Sequence, residues 1–234
     1  MAIKTKETGL FIWRLTKRIF LIFFILQLFY ILLLKWVNPP ITITQLTSWI
    51  RGNGVKRDYV SMKQISPHPK LAVMAAEDQL FPYHHGFDWK SIAKAMAHNE
   101  KNPKKIKGAS TISQQVAKNV FLWQGRSWLR KGLEVYFTFM IELVWGKKRI
   151  LEMHLNVSEM GNGIFGIEAA ARQYFKKPSK KLTRQQAAMI AASLRNPIKY
   201  TVKPLSKHIS IRYPWVLRQM VILQNDPHIQ KLIQ

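Results

Sequence analysis

Residues 108–119 read GASTISQQVAKN, a glycine and hydroxyl residues followed by a repeat of apolar side chains. The apolar side chains recur at every fourth position: Ile112, Val116 and Val120. This period is typical of an α-helix that buries one face. The stretch therefore predicts a helix that packs through its apolar face.

A second face of the same predicted helix is polar. Ser110, Gln114 and Lys118 are also spaced by four, so they are expected on one side of the helix. The first-turn amides of a helix are unpaired, and a helix N-terminus binds phosphate readily. The pattern indicates either a ligand-binding face or an ordinary capped helix with a solvated face.

Helical periodicity continues along most of the chain after Leu71. Apolar stripes cover residues 71–76, 129–144 and 150–155. Thr183-x-x-Gln186 is a capping box that opens an alanine-rich helix. No alternating strand run with hairpin turns competes with these helices. The sequence therefore predicts an all-α domain.

Two carboxylates, Glu77 and Asp78, follow the apolar residues 72–76 directly. The end of a helix dipole and desolvation both disfavour a charged carboxylate there, which makes it a better base. The alternative is that one of the two only caps the next turn. The adjacent His84 and His85 do not converge on one ion, so we expect no metal site.

A basic cluster, Arg126, Arg130 and Lys131, precedes Glu134. One interpretation is a weak surface salt bridge between Arg130 and Glu134, which are an i,i+4 pair. The other is a site that holds a diphosphate beside a second carboxylate, because the arginine fork matches phosphate oxygens.

The composition indicates an anionic partner. The 234 residues include 37 basic and 12 acidic side chains, a formal charge of +25, which suits nucleic acid, anionic lipid or a phosphorylated substrate. Apolar residues make up 47% of the chain, which excludes global disorder. The absence of cysteine excludes disulfides and thiolate catalysis.

An apolar run at residues 19–37 predicts a single transmembrane helix, because about 20 such residues span the hydrocarbon layer. Residues 1–18 carry five basic side chains and one acid, so the positive-inside rule places them in the cytoplasm. A cleaved signal peptide is the alternative, but no A-x-A site follows the run. The export of the remaining chain argues against nucleic acid and favours lipid headgroups or lipid-linked phosphates.

The predicted organisation has four parts. A basic cytoplasmic tail (1–18) leads into the transmembrane helix (19–37), a juxtamembrane segment (38–69) and the main domain (70–234). Within the juxtamembrane segment, the apolar residues 41–50 either lie on the membrane or pack on the domain.

Four segments, in order, resemble the motifs of the family 51 peptidoglycan glycosyltransferases. They are residues 77–88 (EDQLFPYHHGFD), 108–119, 130–134 (RKGLE) and 147–156 (KKRILEMHLN). In the fourth, His154 replaces the usual tyrosine before Leu-Asn. The resemblance covers residues 60–220, and the size and single anchor resemble the monofunctional biosynthetic members of the family.

This resemblance implies a lysozyme-like, mainly helical fold with a small membrane-facing subdomain. It implies an inner-membrane enzyme that polymerises lipid II, the undecaprenyl-diphosphate-linked disaccharide pentapeptide, onto a lipid-linked glycan strand. Other proteins of cell-wall synthesis or division are its expected partners. No cofactor is required by the sequence, although some family members are stimulated by a divalent cation, Mg²⁺ or Mn²⁺.

The resemblance also implies roles for individual residues. Glu77 is the expected general base, and the leaving diphosphate is bound and neutralised by a second set: Glu134, Lys118, Arg126 and Arg130. The expected substrate contacts are Ser110, Gln114 and Asn119.

Two alternatives remain. A lytic transglycosylase or muramidase has a similar fold but needs no diphosphate-binding cluster, so Lys118 and Arg126 argue against it. A non-catalytic membrane scaffold has no need for both Glu77 and Glu134.

Overall fold

The computed structural model describes residues 2–103, 105–125 and 127–234, with side chains from residue 10 onward. The chain divides into two compact units, Met1–Val37 and Asn38–Gln234. The first contains α1 (Ala2–Leu33), of which Leu10–Leu33 is long and apolar enough to cross a membrane. The helix ends before the predicted limit of the span at residue 37, since residues 34–36 turn ahead of two consecutive prolines that cannot continue a helix.

The second unit is mainly helical, which confirms the predicted fold class. Its helices are α2 (Ile43–Ile50), α3 (Pro67–Glu77), α4 (Trp89–Lys101), α5 (Ile112–Phe121), α6 (Trp128–Val144), α7 (Gly146–Val157), α8 (Ile167–Phe175), α9 (Arg184–Ser193), α10 (Lys207–Leu223) and α11 (Pro227–Ile233). Short 3-10 helices occupy Met62–Gln64 and Ser179–Lys181.

A small sheet was not predicted. It contains β1 (Lys56–Arg57), β2 (Glu159–Gly161) and β3 (Ile164–Phe165) in the order β1-β3-β2, with β1 parallel and β2 antiparallel to β3. Strands of two or three residues are too short to show an alternating pattern, so periodicity could not reveal them. The sheet ties the juxtamembrane segment to the main domain.

Helix α3 is the centre of one packing layer, in contact with α9 and α10. Pro67 begins the helix, and its fixed φ suits the first helical turn. Residues 71–75 are buried completely, as the apolar run predicts. The predicted capping box of α9 is confirmed, because Thr183 and Gln186 exchange side-chain and backbone hydrogen bonds.

Helix α5 packs against α6 and α7. Its predicted apolar face is confirmed, because Ile112, Val116 and Val120 are all buried. On α6, however, the buried positions include Glu134 and Thr138 rather than an unbroken apolar stripe. The helix leaves large apolar side chains exposed instead: Trp128, Leu129, Val135, Phe139 and Leu143.

Helix α2 lies on α5 with its polar side inward. Thr44, Gln45 and Ser48 are buried, whereas Trp49 and Ile50 are exposed. The juxtamembrane stretch therefore packs on the domain and presents apolar side chains outward, while its contact with the membrane stays a prediction.

Candidate active site

Glu77 is the last residue of α3, where the helix meets a cleft of about 900 Å³. Elements distant in sequence line this cleft, including the start of α5 and parts of α4, α9 and α10. Burial raises the pKa of the Glu77 carboxyl above its usual range, because the charged form loses hydration. A raised pKa at this carboxyl is what the sequence predicts for a base.

Gln115 contacts this carboxylate directly. Its Nε2 donates a hydrogen bond of 2.7 Å to Oε2 of Glu77, which partly offsets the effect of burial on the pKa. The sequence pattern did not indicate Gln115, because the spacing of four residues from Ser110 to Lys118 includes its neighbour Gln114 instead. The two consecutive glutamines were the available indication in the sequence. Adjacent residues of a helix point in different directions, so one can face the cleft when the other is buried.

Asp78 has a structural role instead. Its Oδ2 accepts the backbone N–H of Ile112 at 3.0 Å, and His84 Nε2 lies 3.0 Å from both carboxylate oxygens. Because Nδ1 of His84 accepts the N–H of Gly86, Nε2 is the donor to Asp78. Asp78 thus joins the end of α3 to the start of α5, and His84 is occupied within that junction.

Lys118, on α5, lies in the same cleft as Glu77. Its charge interacts favourably with two carboxylates, those of Glu134 and Glu77. Burial nevertheless lowers the pKa of Lys118, and the charges of Arg130 and Lys131 act in the same direction. Within the described residues, no protein hydrogen bond satisfies this ammonium.

Glu134 is buried on α6 and holds two cations. Arg130 Nη1 donates to its Oε2 at 2.7 Å, and Lys131 Nζ donates to its Oε1 at 2.5 Å. This arrangement is not the weak surface bridge of the first interpretation, because the side chains of Glu134 and Arg130 are only 4% and 12% exposed. Glu134 therefore fixes the position of positive charge next to Lys118.

The predicted polar face of α5 is not formed as expected. Ser110 precedes the helix, although it does line the cleft, and Gln114 is buried. Gln114 faces inward because its Oε1 accepts the N–H of Thr111 in a capping box, a competing use of that side chain. Asn119 is half-buried on α5. Arg126 lies outside the described residues.

A cation that sequence analysis missed flanks Glu77. Arg212, on α10, donates to the carbonyl of Ala76 at 3.3 Å, and its guanidinium stacks over Trp215 at 3.9 Å. The charge of Arg212 opposes the effect of burial on the pKa of Glu77. No motif indicated this residue, since only the packing of α10 on α3 brings it to the cleft.

Among the described residues, no three side chains of the metal-binding types converge on one point. The cations at the cleft are supplied by the chain itself: Lys118 beside Glu134, and Arg212 beside Glu77.

Comparison with known proteins places this cleft in a family. The family model described as Transglycosylase matches residues 43–221, which contain the whole of the site described above. The chain belongs to the transglycosylase family.

Curated relatives agree with this family. A protein of Shigella boydii serotype 4 (strain Sb227), named biosynthetic peptidoglycan transglycosylase, is 50% identical, with 93% of this chain and 97% of the relative covered. A protein of the same name from Escherichia coli (strain K12) is 56% identical over 190 residues, which cover 80% of this chain and 78% of the relative.

The site of this transglycosylase combines two chemical capabilities. A poorly hydrated carboxylate with a raised pKa can accept a proton from a hydroxyl group. Preorganised cations in the same cleft can stabilise negative charge that develops on a leaving group. The arrangement therefore suits transfer of a group whose leaving portion is an anion.

Proposed function

We infer that this chain is a peptidoglycan glycosyltransferase that polymerises lipid II into glycan strands. Each transfer inverts the configuration at the anomeric carbon and releases undecaprenyl diphosphate. Family membership and the names of the relatives support this function. The observation that carries the mechanism is that Glu77 and Lys118 line one cleft and that the charge of Lys118 also interacts with Glu134.

Glu77 is the general base of this mechanism. Its carboxylate takes the proton of the acceptor sugar hydroxyl as the hydroxyl oxygen attacks the anomeric carbon of the lipid-linked strand. Oε2 is held by Gln115, and no protein hydrogen bond to Oε1 is found in the part of the chain that the structure describes. Oε1 is therefore the oxygen left for the acceptor hydroxyl, within hydrogen-bond reach as general-base catalysis requires.

Lys118 and Arg130 neutralise the leaving diphosphate. The bond between the anomeric carbon and the phosphate oxygen breaks, and its electron pair stays on the diphosphate, whose developing charge needs nearby cations. Glu134 binds Arg130 and Lys131 and so keeps the cationic cluster in place before the substrate arrives. Arg126 is a further predicted member of this cluster, and Ser110, Gln114 and Asn119 remain predicted substrate contacts.

The exposed apolar residues of α2 and α6 support a membrane-facing side. Both helices pack on α5 and present Trp49, Ile50, Trp128 and Leu129 to the outside. Large exposed apolar surfaces of this kind are typical of membrane or protein contact. We propose that these residues contact the bilayer in which the lipid tail of the substrate stays, and that α1 is the anchor.

We propose the topology with residues 1–18 in the cytoplasm and the catalytic unit on the outer side of the inner membrane. The basic residues before the span support this orientation. Binding to other cell-wall synthesis or division proteins is proposed from the resemblance alone.

We also propose that catalysis needs no resident cofactor, because Lys118 and Arg130 supply the positive charge that a divalent ion would otherwise provide. Mg²⁺ or Mn²⁺ then acts as a stimulant, so turnover persists in excess chelator and rises when the ion is restored.

Two parallel incubations test the proposed function. Purified protein is given fluorescent lipid II in one, and finished glycan strands without lipid in the other. We expect polymer and free undecaprenyl diphosphate from lipid II, and no shortening of the finished strands. Cleavage of the finished strands without polymer formation would identify a lytic enzyme, and inactivity in both would favour a scaffold.

A further inference from the structure

His154 is buried completely on α7. Its Nε2 lies 3.0 Å from Oε1 of Gln115, the same side chain whose Nε2 donates to Glu77 at 2.7 Å. Two hydrogen bonds thus connect α7, α5 and α3 in a single line that ends on the carboxylate in the cleft.

The hydrogen-bonding groups along this line determine which ring nitrogen of His154 carries the proton. An ionised carboxylate only accepts hydrogen bonds, so Gln115 must turn its NH₂ group to Glu77 and its carbonyl oxygen to His154. That oxygen needs a donor, and a neutral imidazole has one N–H to give. Burial, together with the charge of Lys118, lowers the pKa of His154 to about 3, so the ring is neutral and its proton lies on Nε2.

The other ring nitrogen, Nδ1, has no hydrogen-bond partner in the described part of the chain. A buried polar atom without a partner costs stability. His154 at this position is therefore not the choice that stability alone would favour. Its side-chain hydrogen bond is made to Gln115.

We propose that His154 is a positioning residue for the reaction and that it holds the amide of Gln115 in the orientation that serves Glu77. With His154 in place, Gln115 cannot turn its oxygen to the carboxylate of Glu77 without losing the hydrogen bond that His154 donates to that oxygen. The bond from Gln115 then keeps Oε2 engaged and Oε1 directed to the acceptor. Without this donor, the amide can rotate, and Glu77 loses both its orientation and an interaction that favours its charged form. This inference rests on the proposed role of Glu77 as the base.

Substitution with glutamine and with methionine separates hydrogen bonding from packing. Both side chains are flexible and of similar size, but only His154→Gln retains a donor at the distance of Nε2 along the side chain. His154→Phe serves as a second donor-free variant that keeps a ring in the cavity, in case methionine prevents folding. Melting temperature is recorded for all three.

The readouts are kcat and KM for lipid II and the pH profile of kcat. For His154→Met and His154→Phe we expect kcat to fall roughly ten- to a hundredfold with KM changed less than about twofold, since misorientation of a reacting group affects the chemical step. The acidic limb of the profile is expected at higher pH, because loss of the donated hydrogen bond raises the pKa of Glu77. His154→Gln is expected to recover both properties.

Equal losses in the glutamine and donor-free variants, or an unmoved acidic limb in the donor-free variants, would overturn the inference and leave His154 as a packing residue. Glu77→Gln, measured alongside, distinguishes this result from failure of the proposed function. If Glu77→Gln retains turnover, Glu77 is not the base, so the proposed mechanism and the positioning role both fail although polymerisation itself stands. If it is inactive while the histidine variants behave alike, only the positioning role is refuted.

Discussion

Glu77 and Asp78 are adjacent in the sequence, yet their side chains meet different partners. Asp78 is saturated by the N–H of Ile112 and by His84, whereas Glu77 reaches the cleft and is held by Gln115 through one oxygen. Sequence predicted that one carboxylate at this helix end is a base and left open that another caps the next turn. The Asp78 carboxylate caps the start of α5 rather than the next turn, and the base role of Glu77 stays a prediction. The φ of −159° at Asp78, which takes the chain out of the helix, separates the two side chains.

The raised pKa of Glu77 predicts a pH profile. A base must be ionised, so kcat falls as the pH drops through the raised pKa, and the acidic limb lies above the range of a solvated glutamate, about 4.3. Lys118→Met removes a charge that lowers the pKa of Glu77, so it is expected to move the limb to still higher pH. A steady-state profile with lipid II measures both. A limb at the solvated value would show that Glu77 is not the titrating base.

The same raised pKa makes ionised Glu77 a cost to folding at neutral pH. As the pH rises from about 4, the Glu77 carboxyl ionises first in the unfolded chain. The folded protein therefore loses stability until the carboxyl also ionises in the folded state. Glu77→Gln is therefore expected to melt at a higher temperature than the wild type at pH 7 and at nearly the same temperature at pH 4. Thermal unfolding at the two pH values checks this sign, and a lower melting temperature at pH 7 would contradict it.

Lys118→Ala is expected to reduce lipid II turnover roughly a hundredfold while changing the melting temperature little. The reason is that the cost of burying the Lys118 charge opposes its attraction to Glu77 and Glu134 in the folded protein, whereas an anionic leaving group gains from the charge. Lys180→Ala, an exposed site on the short helix Ser179–Lys181, is the matched control for loss of one positive charge. Equal losses of activity and stability at Lys118 would indicate packing.

At the scale of elements, the junction between α3 and α5 is expected to be a major source of stability. Asp78→Ala removes the acceptor of the Ile112 N–H and leaves His84 without its partner, at a cost of about 2–4 kcal/mol. Asp58→Ala is the control, because the Asp58–Arg172 pair is exposed and long at 3.5 Å. Urea unfolding measures both variants. A similar small effect in each would contradict the structural role of Asp78.

How much of the fold the sequence could predict depended on the length of each element. The apolar stripe of α5 and the capping box of α9 could be predicted because both patterns involve residues that are close together in the sequence. The small sheet and the polar underside of α2 were not, because their partners lie far away in the chain and no local pattern encodes them. Gln115 and Arg212 were missed for the same reason: their roles arise from packing of α5 and α10 against the end of α3.

For the whole molecule, the proposed topology can be tested because the chain has no cysteine. Asn225→Cys introduces a thiol at an exposed site of the catalytic unit, and Thr5→Cys introduces one in the predicted cytoplasmic tail. In intact spheroplasts, a membrane-impermeant maleimide is expected to label residue 225 but to reach residue 5 only after lysis. The opposite labelling pattern would reverse the orientation.

The molecule as a whole brings a base, a cationic cluster and an apolar outer surface to one unit tethered by a membrane-spanning helix. The motifs of the sequence predicted Glu77 and Lys118, but their meeting in one cleft required the tertiary packing of the helices that line it. The central claim is that Glu77 acts as the base of glycan polymerisation in this cleft.

The most direct test is the initial rate of polymer formation from fluorescent lipid II by Glu77→Gln, compared with the wild type and with Glu100→Gln, which alters an exposed carboxylate. We expect Glu77→Gln to lose roughly two to four orders of magnitude while remaining folded by circular dichroism, and Glu100→Gln to stay within about twofold of the wild type. Polymerisation by Glu77→Gln at the wild-type rate would contradict the account.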